Sequence, residues 1–202
     1  PALCLVASGG HTALYKLNEP GKSERLGTTR DDAAGEALDK GASLLGLTYP
    51  GGPAIEDEGK DGDRKAFKLP RTMLDKDSLD FSFSGMKTAL LYTVQPPGKP
   101  KPEEPPSGQQ LKDLAASYQE AIVDVLIQKL RRAAERHEMR SLCIGGGVAK
   151  NARLRERIAQ DPVLNQLHLV LPPLDLCADN GAMIAGLGSI LFRQGKTSPI
   201  DI

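Results

Sequence analysis

The sequence lacks the cysteine spacing that would mark a disulfide framework or a structural zinc site. Its three cysteines, Cys4, Cys143 and Cys177, include no Cys-x-x-Cys pair. They stand among apolar or small residues, which favours buried, reduced thiols in the cytoplasm. The sequence therefore gives no support for a small disulfide-bonded fold.

An excess of one charge and a long apolar run are also missing. The 26 basic residues balance the 26 acidic ones, so bulk charge neither favours nor excludes a nucleic-acid partner. The apolar runs are far shorter than a membrane span, and we expect no membrane contact. The chain has 202 residues and begins at Pro1 within an apolar run, without methionine. We interpret it as a fragment or an excised domain.

The most informative stretch runs from Leu142 to Asn151 and contains three successive glycines, Gly145 to Gly147. It predicts a buried strand, a glycine turn and the start of a helix. Glycines suit a place where the backbone must approach a ligand, and the free amides of a helix N-terminus attract phosphates. Because the Lys-Ser/Thr ending of a P-loop is missing, a tight turn without a ligand is an equal alternative.

The first 29 residues predict an antiparallel meander of three strands, at about 2–7, 12–17 and 24–29. Its first turn, residues 8–12, offers hydroxyl groups and unobstructed amides that could hold a phosphate. An ordinary Gly-Gly hairpin loop is the alternative.

A helix predicted over residues 31–45 carries three carboxylates, Asp32, Glu36 and Asp39, on roughly one face. If that face lines a cleft, the carboxylates could accept hydrogen bonds from sugar hydroxyls. The alternative is a solvated face on which Glu36 pairs with Lys40.

The rest of the chain alternates between helices and strands. Residues 95–110 are rich in proline, lysine and glutamate and predict a surface loop. Ser107 and Gln110 have the spacing of a capping box for a long helix that ends near His137. Together the pattern predicts an α/β domain with a mixed five-stranded sheet and helices on its faces, and a parallel β-α-β unit. The other predicted elements are helices at about 54–59, 86–92, 151–160 and 181–194 and strands at 141–144 and 168–171.

Several motifs occur together in an order that resembles one known family. They are Ser8-Gly9-Gly10-His11-Thr12, the segment from Asp31 to Pro53, Leu79 to Gly85, Gly145 to Asn151, and Cys177 to Gly181. In this order the chain resembles the tRNA threonylcarbamoyladenosine synthesis family, formerly described as glycoproteases (bacterial TsaD/Gcp type). The likeness covers nearly the whole chain apart from the proline-rich loop.

The resemblance implies an actin-like, ribonuclease-H-like ATPase fold, with a nucleotide bound between two such domains. It implies transfer of a threonylcarbamoyl group from threonylcarbamoyl-AMP to N6 of the adenosine 3′ of the anticodon, in tRNAs that read codons starting with A. It also implies ATP or threonylcarbamoyl-AMP as the nucleotide, tRNA as substrate, and a degenerate paralogue and a small ATPase as bacterial partners.

Site residues follow from the resemblance position by position. It implies that the loop from Val6 to Gly10 faces the phosphate, that Asp39 and Gly52 hold the ribose side, and that Asn151 contacts the nucleotide. Asp179 matches a carboxylate ligand of an iron or zinc ion. The nucleotide-site residues expected from the resemblance are Val6, Ala7, Ser8, Gly9, Gly10, Asp39, Gly52, Gly146 and Asn151.

The sequence departs from the family at the metal. The family also uses two histidines in a His-x-x-x-His motif, whereas His11, His137 and His168 do not have that spacing. One carboxylate is a poor transition-metal site. We therefore expect residues 1–202 to form the C-terminal domain of a two-domain protein, without the N-terminal metal-ligand domain, and to be metal-free and inactive alone.

Three other functions were considered. A peptidase would need an HExxH or GxSxG motif, and neither occurs. A non-catalytic scaffold paralogue would not need both glycine loops and Asp179, and a sugar kinase or ATPase is disfavoured by the Asp80 to Gly85 motif. Lys150 and the nearby arginines could contact tRNA phosphates, although a solvated helix face is the simpler interpretation.

Overall fold

A computed structural model describes residues 1–19, 21–72, 75, 77–100 and 104–197. These residues form a five-stranded mixed sheet with α-helices packed on it, as the sequence predicts. The strands are β1 (Ala2–Ala7), β2 (Thr12–Glu19), β3 (Lys22–Thr28), β4 (Ser141–Gly145) and β5 (His168–Val170). The helices are α1 (Ala34–Leu44), α2 (Gly51–Glu58), α3 (Ser84–Val94), α4 (Gly108–Arg136), α5 (Ala152–Gln160) and α6 (Gly181–Arg193).

The sheet has the strand order β3-β2-β1-β4-β5. The meander β1-β2-β3 is antiparallel, while β4 pairs in parallel with both β1 and β5. Alternate side chains of the central strands are buried, among them Leu3 and Leu5 of β1 and Leu142 and Ile144 of β4. This period of two places one face of the sheet against the core.

Helix α4 forms the centre of the core. It packs against β1, α1 and α2, and Tyr118 at its middle is fully buried. The Tyr118 hydroxyl donates a hydrogen bond of 2.8 Å to the Ala37 carbonyl oxygen. A β-carbon at Gly41 would lie 2.2 Å from the tyrosine ring, so the absence of a side chain there lets α1 approach α4.

Helix α1 begins at Ala34, and the prediction that it includes Asp31 is wrong. The Asp31 carboxylate instead accepts hydrogen bonds from the amides of Phe83 (2.8 Å) and Ser84 (3.2 Å) and from the Ser82 hydroxyl (2.5 Å). It thereby satisfies amides at the start of α3, which would otherwise lack a partner.

Two smaller expectations also change. Ser107 is the N-cap of α4, but its side chain makes no capping hydrogen bond, so the capping box is not formed. Cys4 and Cys143 are half-buried register partners on β1 and β4, and only Cys177 is buried. The proline-rich segment has no helix or strand in its described part before α4, and its residues 101–103 lie outside the described residues.

Lys129 provides a test of the packing around α4. Its side chain is fully buried, and its Nζ donates a 2.7 Å hydrogen bond to the Ser78 carbonyl oxygen. Burial lowers the pKa of Lys129 to about 8, and the positive charge of Arg132 adds to this, while Asp80 and Asp75 oppose it.

We expect Lys129 to make stability rise with pH between about 8 and about 10.4, the pKa of an unfolded lysine. In this window the unfolded chain binds more protons than the folded chain. Relative to Lys129→Met, the wild type should gain on the order of 1–2 kcal/mol in unfolding free energy from pH 7.5 to pH 10. Urea denaturation followed by circular dichroism measures this. Lys87→Met, at an exposed position of α3, is the control, and parallel curves for wild type and Lys129→Met would contradict the prediction.

Candidate nucleotide-binding site

A cleft of about 280 Å³ opens where β1 and β4 end. Gly9 follows β1 and Gly147 follows β4, and both line the cleft. In open α/β sheets, ligands bind at the carboxyl ends of the strands. The lining residues are Gly9, Gly35, Leu38, Asp39, Tyr49, Pro50, Gly52, Pro53, Glu56, Gly147, Val148, Lys150, Asn151 and Ala178.

Two hydrogen bonds join the region of the turn after β1 to the start of α1. The Gly35 amide donates to the Ser8 carbonyl oxygen (3.1 Å), and the Ala34 amide donates to the Thr12 hydroxyl (2.8 Å). At Gly9 and Gly10, by contrast, a β-carbon would meet no atom within 4 Å. The backbone of these two glycines is therefore open to a ligand.

The three glycines after β4 have different surroundings. Gly146 has φ +88°, and a β-carbon on it would lie 2.3 Å from the Ala7 carbonyl oxygen. Gly145 and Gly147 have open space at the same position. Gly146 thus lets the two central strands end side by side, while Gly147 faces the cleft.

The N-terminus of α5 does not provide the free amides that the sequence suggests. A 3₁₀ turn, Gly147–Lys150, separates the glycines from α5. The Ala152 amide donates to Glu56 Oε1 (2.8 Å), and the Leu154 amide donates to Asn151 Oδ1 (2.9 Å). Side chains of this chain already accept from these two amides, so neither is free for a phosphate, whereas phosphate binding at the glycine turn stays a prediction.

Asn151 lines the cleft and is 6% exposed, with its amide group engaged inside the protein. Its Nδ2 donates to Gln119 Oε1 (2.9 Å) and Glu56 Oε2 (3.2 Å). These bonds join the walls formed by α2 and α5 to α4. Contact between Asn151 and a nucleotide stays a prediction.

Glu56 is a cleft residue that sequence reasoning missed. Burial raises the pKa of its carboxyl group, and the hydrogen bond from the Ala152 amide partly opposes that shift. A signal was present, since Glu56 stands one helical turn after Gly52 and so shares its face of α2. Tyr49, which is 84% exposed at the cleft, was also missed as a site residue.

The acidic face of α1 divides into two parts. Lys40 pairs with Asp32 (2.7 Å) and Glu36 (2.9 Å), which supports the solvated-face interpretation for these two carboxylates. Asp39 lines the cleft, and its Oδ1 accepts a 2.8 Å hydrogen bond from the Gly51 amide. Asp39 is therefore the carboxylate of this face that could accept a hydrogen bond from a ligand hydroxyl.

The structure brings several of the predicted residues together. Gly9, Asp39, Gly52 and Asn151 all line the cleft. Others stand beside it without lining it: they are Val6 and Ala7 in β1, Ser8 and Gly10 in the following turn, and Gly146.

The residues present do not fit a complete metal site. Asp179 is exposed and follows Ala178, which lines the cleft. Over the described residues, no three histidine, cysteine or carboxylate side chains are grouped so that they could hold a metal ion. A transition metal normally needs at least three protein ligands, and the described residues do not supply such a group.

The arginines of the basic segment form hydrogen bonds and ion pairs with other residues of this chain. Arg153 contacts Glu120 through two hydrogen bonds of 2.7 and 2.9 Å. Arg157 pairs with Asp124 at 2.6 Å and also with Glu120. Arg155 donates to the carbonyl oxygens of Ala149 and Pro172, both at 2.7 Å. These partners oppose the hypothesis that the three arginines bind tRNA phosphates.

Comparison with known proteins identifies the family. The family model for TsaD, tRNA N6-adenosine threonylcarbamoyltransferase, matches residues 1–186. The chain belongs to this family. It is 47% identical over its whole length to the Listeria monocytogenes tRNA N6-adenosine threonylcarbamoyltransferase and 49% identical to that of Anaeromyxobacter sp.. It spans 58% and 59% of these two TsaD relatives.

Two solved structures share the fold at low identity. The Clostridium difficile activator of 2-hydroxyisocaproyl-CoA dehydratase, solved with bound ADPNP, matches with a TM-score of 0.53 and 14% identity. That match covers 100% of this TsaD chain and 65% of the activator. HypF of T. kodakarensis has a TM-score of 0.56 and 18% identity, with coverage of 88% and 21%. The prediction of an actin-like ATPase fold is confirmed.

Among the described residues, no helix has the length and apolar character needed to cross a membrane.

Proposed function

We propose that this chain is the nucleotide-binding part of an enzyme that transfers the threonylcarbamoyl group from threonylcarbamoyl-AMP to N6 of the adenosine 3′ of the anticodon. The tRNAs concerned are those that read codons starting with A. The observation that carries the proposal is that motifs from four distant parts of a TsaD chain converge on one cleft. The ADPNP bound to the activator that shares this fold supports a nucleotide as the occupant.

The cleft suits the positioning that acyl transfer from a mixed anhydride needs. The open backbone at Gly9 and Gly10 and the facing Gly147 can receive the phosphate of the adenylate. Asp39 can accept a hydrogen bond from a ribose hydroxyl. Holding the donor in this way contributes to the rate by proximity and orientation.

The exposed surface of α6 supports the proposal that a second domain belongs to the active protein. Helix α6 buries none of its residues, and Ile184 and Phe192 are 67% and 74% exposed. Apolar side chains exposed on all sides of a helix normally pack against another part of the protein. Since the chain spans 58% of its Listeria relative, we propose that the remaining length supplies this domain and that the chain alone is inactive.

Further parts of the proposal follow from the resemblance. We propose that an iron or zinc ion binds in the longer protein, with Asp179 as the one ligand from this chain. We also propose a cytoplasmic location, tRNA as substrate, and a degenerate paralogue and a small ATPase as partners.

A chimera tests the proposed activity. This chain would replace the matching 58% of the Listeria relative, in cells depleted of their own enzyme. We expect threonylcarbamoyladenosine to reappear in tRNA, measured by mass spectrometry of digested nucleosides. We expect Asp39→Ala in the chimera to reduce the product by at least about tenfold, because a ligand contact is lost.

Two controls make the outcome decisive. The Listeria part alone should give no product, and Asp32→Ala, on the same helix but paired with Lys40, should leave the product within about twofold. A folded chimera that binds adenosine nucleotides yet yields no product would contradict the transferase and favour the scaffold alternative.

A further inference from the structure

Lys150 is the one basic residue lining the cleft in the part of the chain that the structure describes. It ends the 3₁₀ turn that begins at Gly147, and its side chain is exposed. The preceding Val148 and Ala149 are buried, which fixes the backbone at this point. The Lys150 side chain thus extends from a fixed backbone position at the edge of the cleft.

Lys150 shares the cleft with two carboxylates. Asp39 accepts a hydrogen bond from the Gly51 amide, and Glu56 accepts hydrogen bonds from the Ala152 amide and from Asn151 Nδ2. No ion pair joins either of them to Lys150 among the described residues. A lysine ammonium group that is not held in an ion pair can pair with an anionic group of a ligand.

The position of Lys150 relative to the glycine turns indicates which part of a ligand it meets. It lies three residues after Gly147, on the same side of the sheet edge as the open backbone of Gly9. The three arginines that follow it are held by carboxylates or carbonyl oxygens of the chain. Lys150 is therefore the cation of this segment that remains available to a ligand.

We propose that Lys150 Nζ binds a phosphate group of the nucleotide, and this inference rests on the proposed function. The ligand class is an adenosine phosphate, whether ATP or the monophosphate of an acyl-adenylate. Lys150 would attract the phosphate through its charge. The nucleoside would be recognised by other residues of the cleft.

The test compares ligands with and without phosphate. Adenosine, AMP and ATP are titrated into the wild-type chain, Lys150→Gln and the control Lys87→Gln, by ligand-observed NMR and calorimetry. We expect Lys150→Gln to weaken AMP and ATP binding by about 5–20-fold, and to leave adenosine binding within about twofold. The loss should shrink between 50 and 500 mM salt, because the screening length falls from about 14 Å to about 4 Å. Lys87→Gln should match the wild type for all three ligands.

Different results overturn different statements. If the wild type binds adenosine and ATP but Lys150→Gln loses neither, or loses both equally, the role of Lys150 is wrong and the nucleotide site stands. If the wild type binds none of the three ligands, the nucleotide site fails, and this inference fails with it.

Discussion

Replacing Gly146 by valine is expected to lower the free energy of unfolding by at least about 3 kcal/mol. Two causes act together. The residue has φ +88°, which a β-branched side chain rarely adopts, and its β-carbon would lie 2.3 Å from the Ala7 carbonyl oxygen. Since backbone rather than a flexible side chain is in the way, β1 and β4 would have to move apart. Urea denaturation followed by circular dichroism measures the change.

Gly147→Ala is the matched control for this prediction. It changes the neighbouring glycine, which has no positive φ and no atom within 4 Å of the added β-carbon. Its unfolding free energy should stay within about 1 kcal/mol of the wild type. A Gly146→Val chain as stable as Gly147→Ala would show that the close approach to Ala7 does not exist.

Asn151→Ala is expected to cost about 2–4 kcal/mol of stability. The substitution removes the N-cap of α5, which alone is typically worth about 1 kcal/mol. It also leaves the buried Gln119 oxygen and the half-buried Glu56 oxygen without the Nδ2 donor. An unpaired buried acceptor costs about 1–3 kcal/mol. The same denaturation experiment measures the loss.

Asn180→Ala is the control that separates the energy of an N-cap from the energy of the Asn151 bonds to Glu56 and Gln119. Asn180 Oδ1 caps α6 through a 3.0 Å bond from the Met183 amide, but this site is exposed and has no link to a second wall. We expect it to cost no more than about 1 kcal/mol. Equal losses for Asn151→Ala and Asn180→Ala would mean that the bonds to Glu56 and Gln119 contribute nothing.

The sequence predicted the elements of this fold where local pattern decides them. The alternation in β1 and β2 and the helical spacing along α4 come from burial of one face, which periodicity records directly. The position of the cleft was also predictable, since Gly9 and Gly147 each follow a strand that reads as buried. The strands, the long helix and the cleft position are predictable because each depends on residues that are close together in the sequence.

The errors involve partners far apart in the chain. Asp31 was assigned to α1 because acidic residues favour a helix start, but its carboxylate serves α3, about fifty residues away. From the sequence, the Ala152 amide of α5 is expected to be free, because nothing near it in sequence marks Glu56, 96 residues earlier, as its partner. Likewise, a run of three glycines does not reveal that only Gly146 packs against Ala7.

The bonds from Asn151 to Glu56 and Gln119 have a consequence for the energetics of binding. They connect two walls of the cleft to the central helix through protein atoms alone, with the Asn151 and Gln119 side chains buried and Glu56 half-buried. A ligand therefore does not have to order α2 or the start of α5, and the entropic cost of arranging these walls is met when the chain folds. Mutations in this network should therefore act on affinity through folding stability.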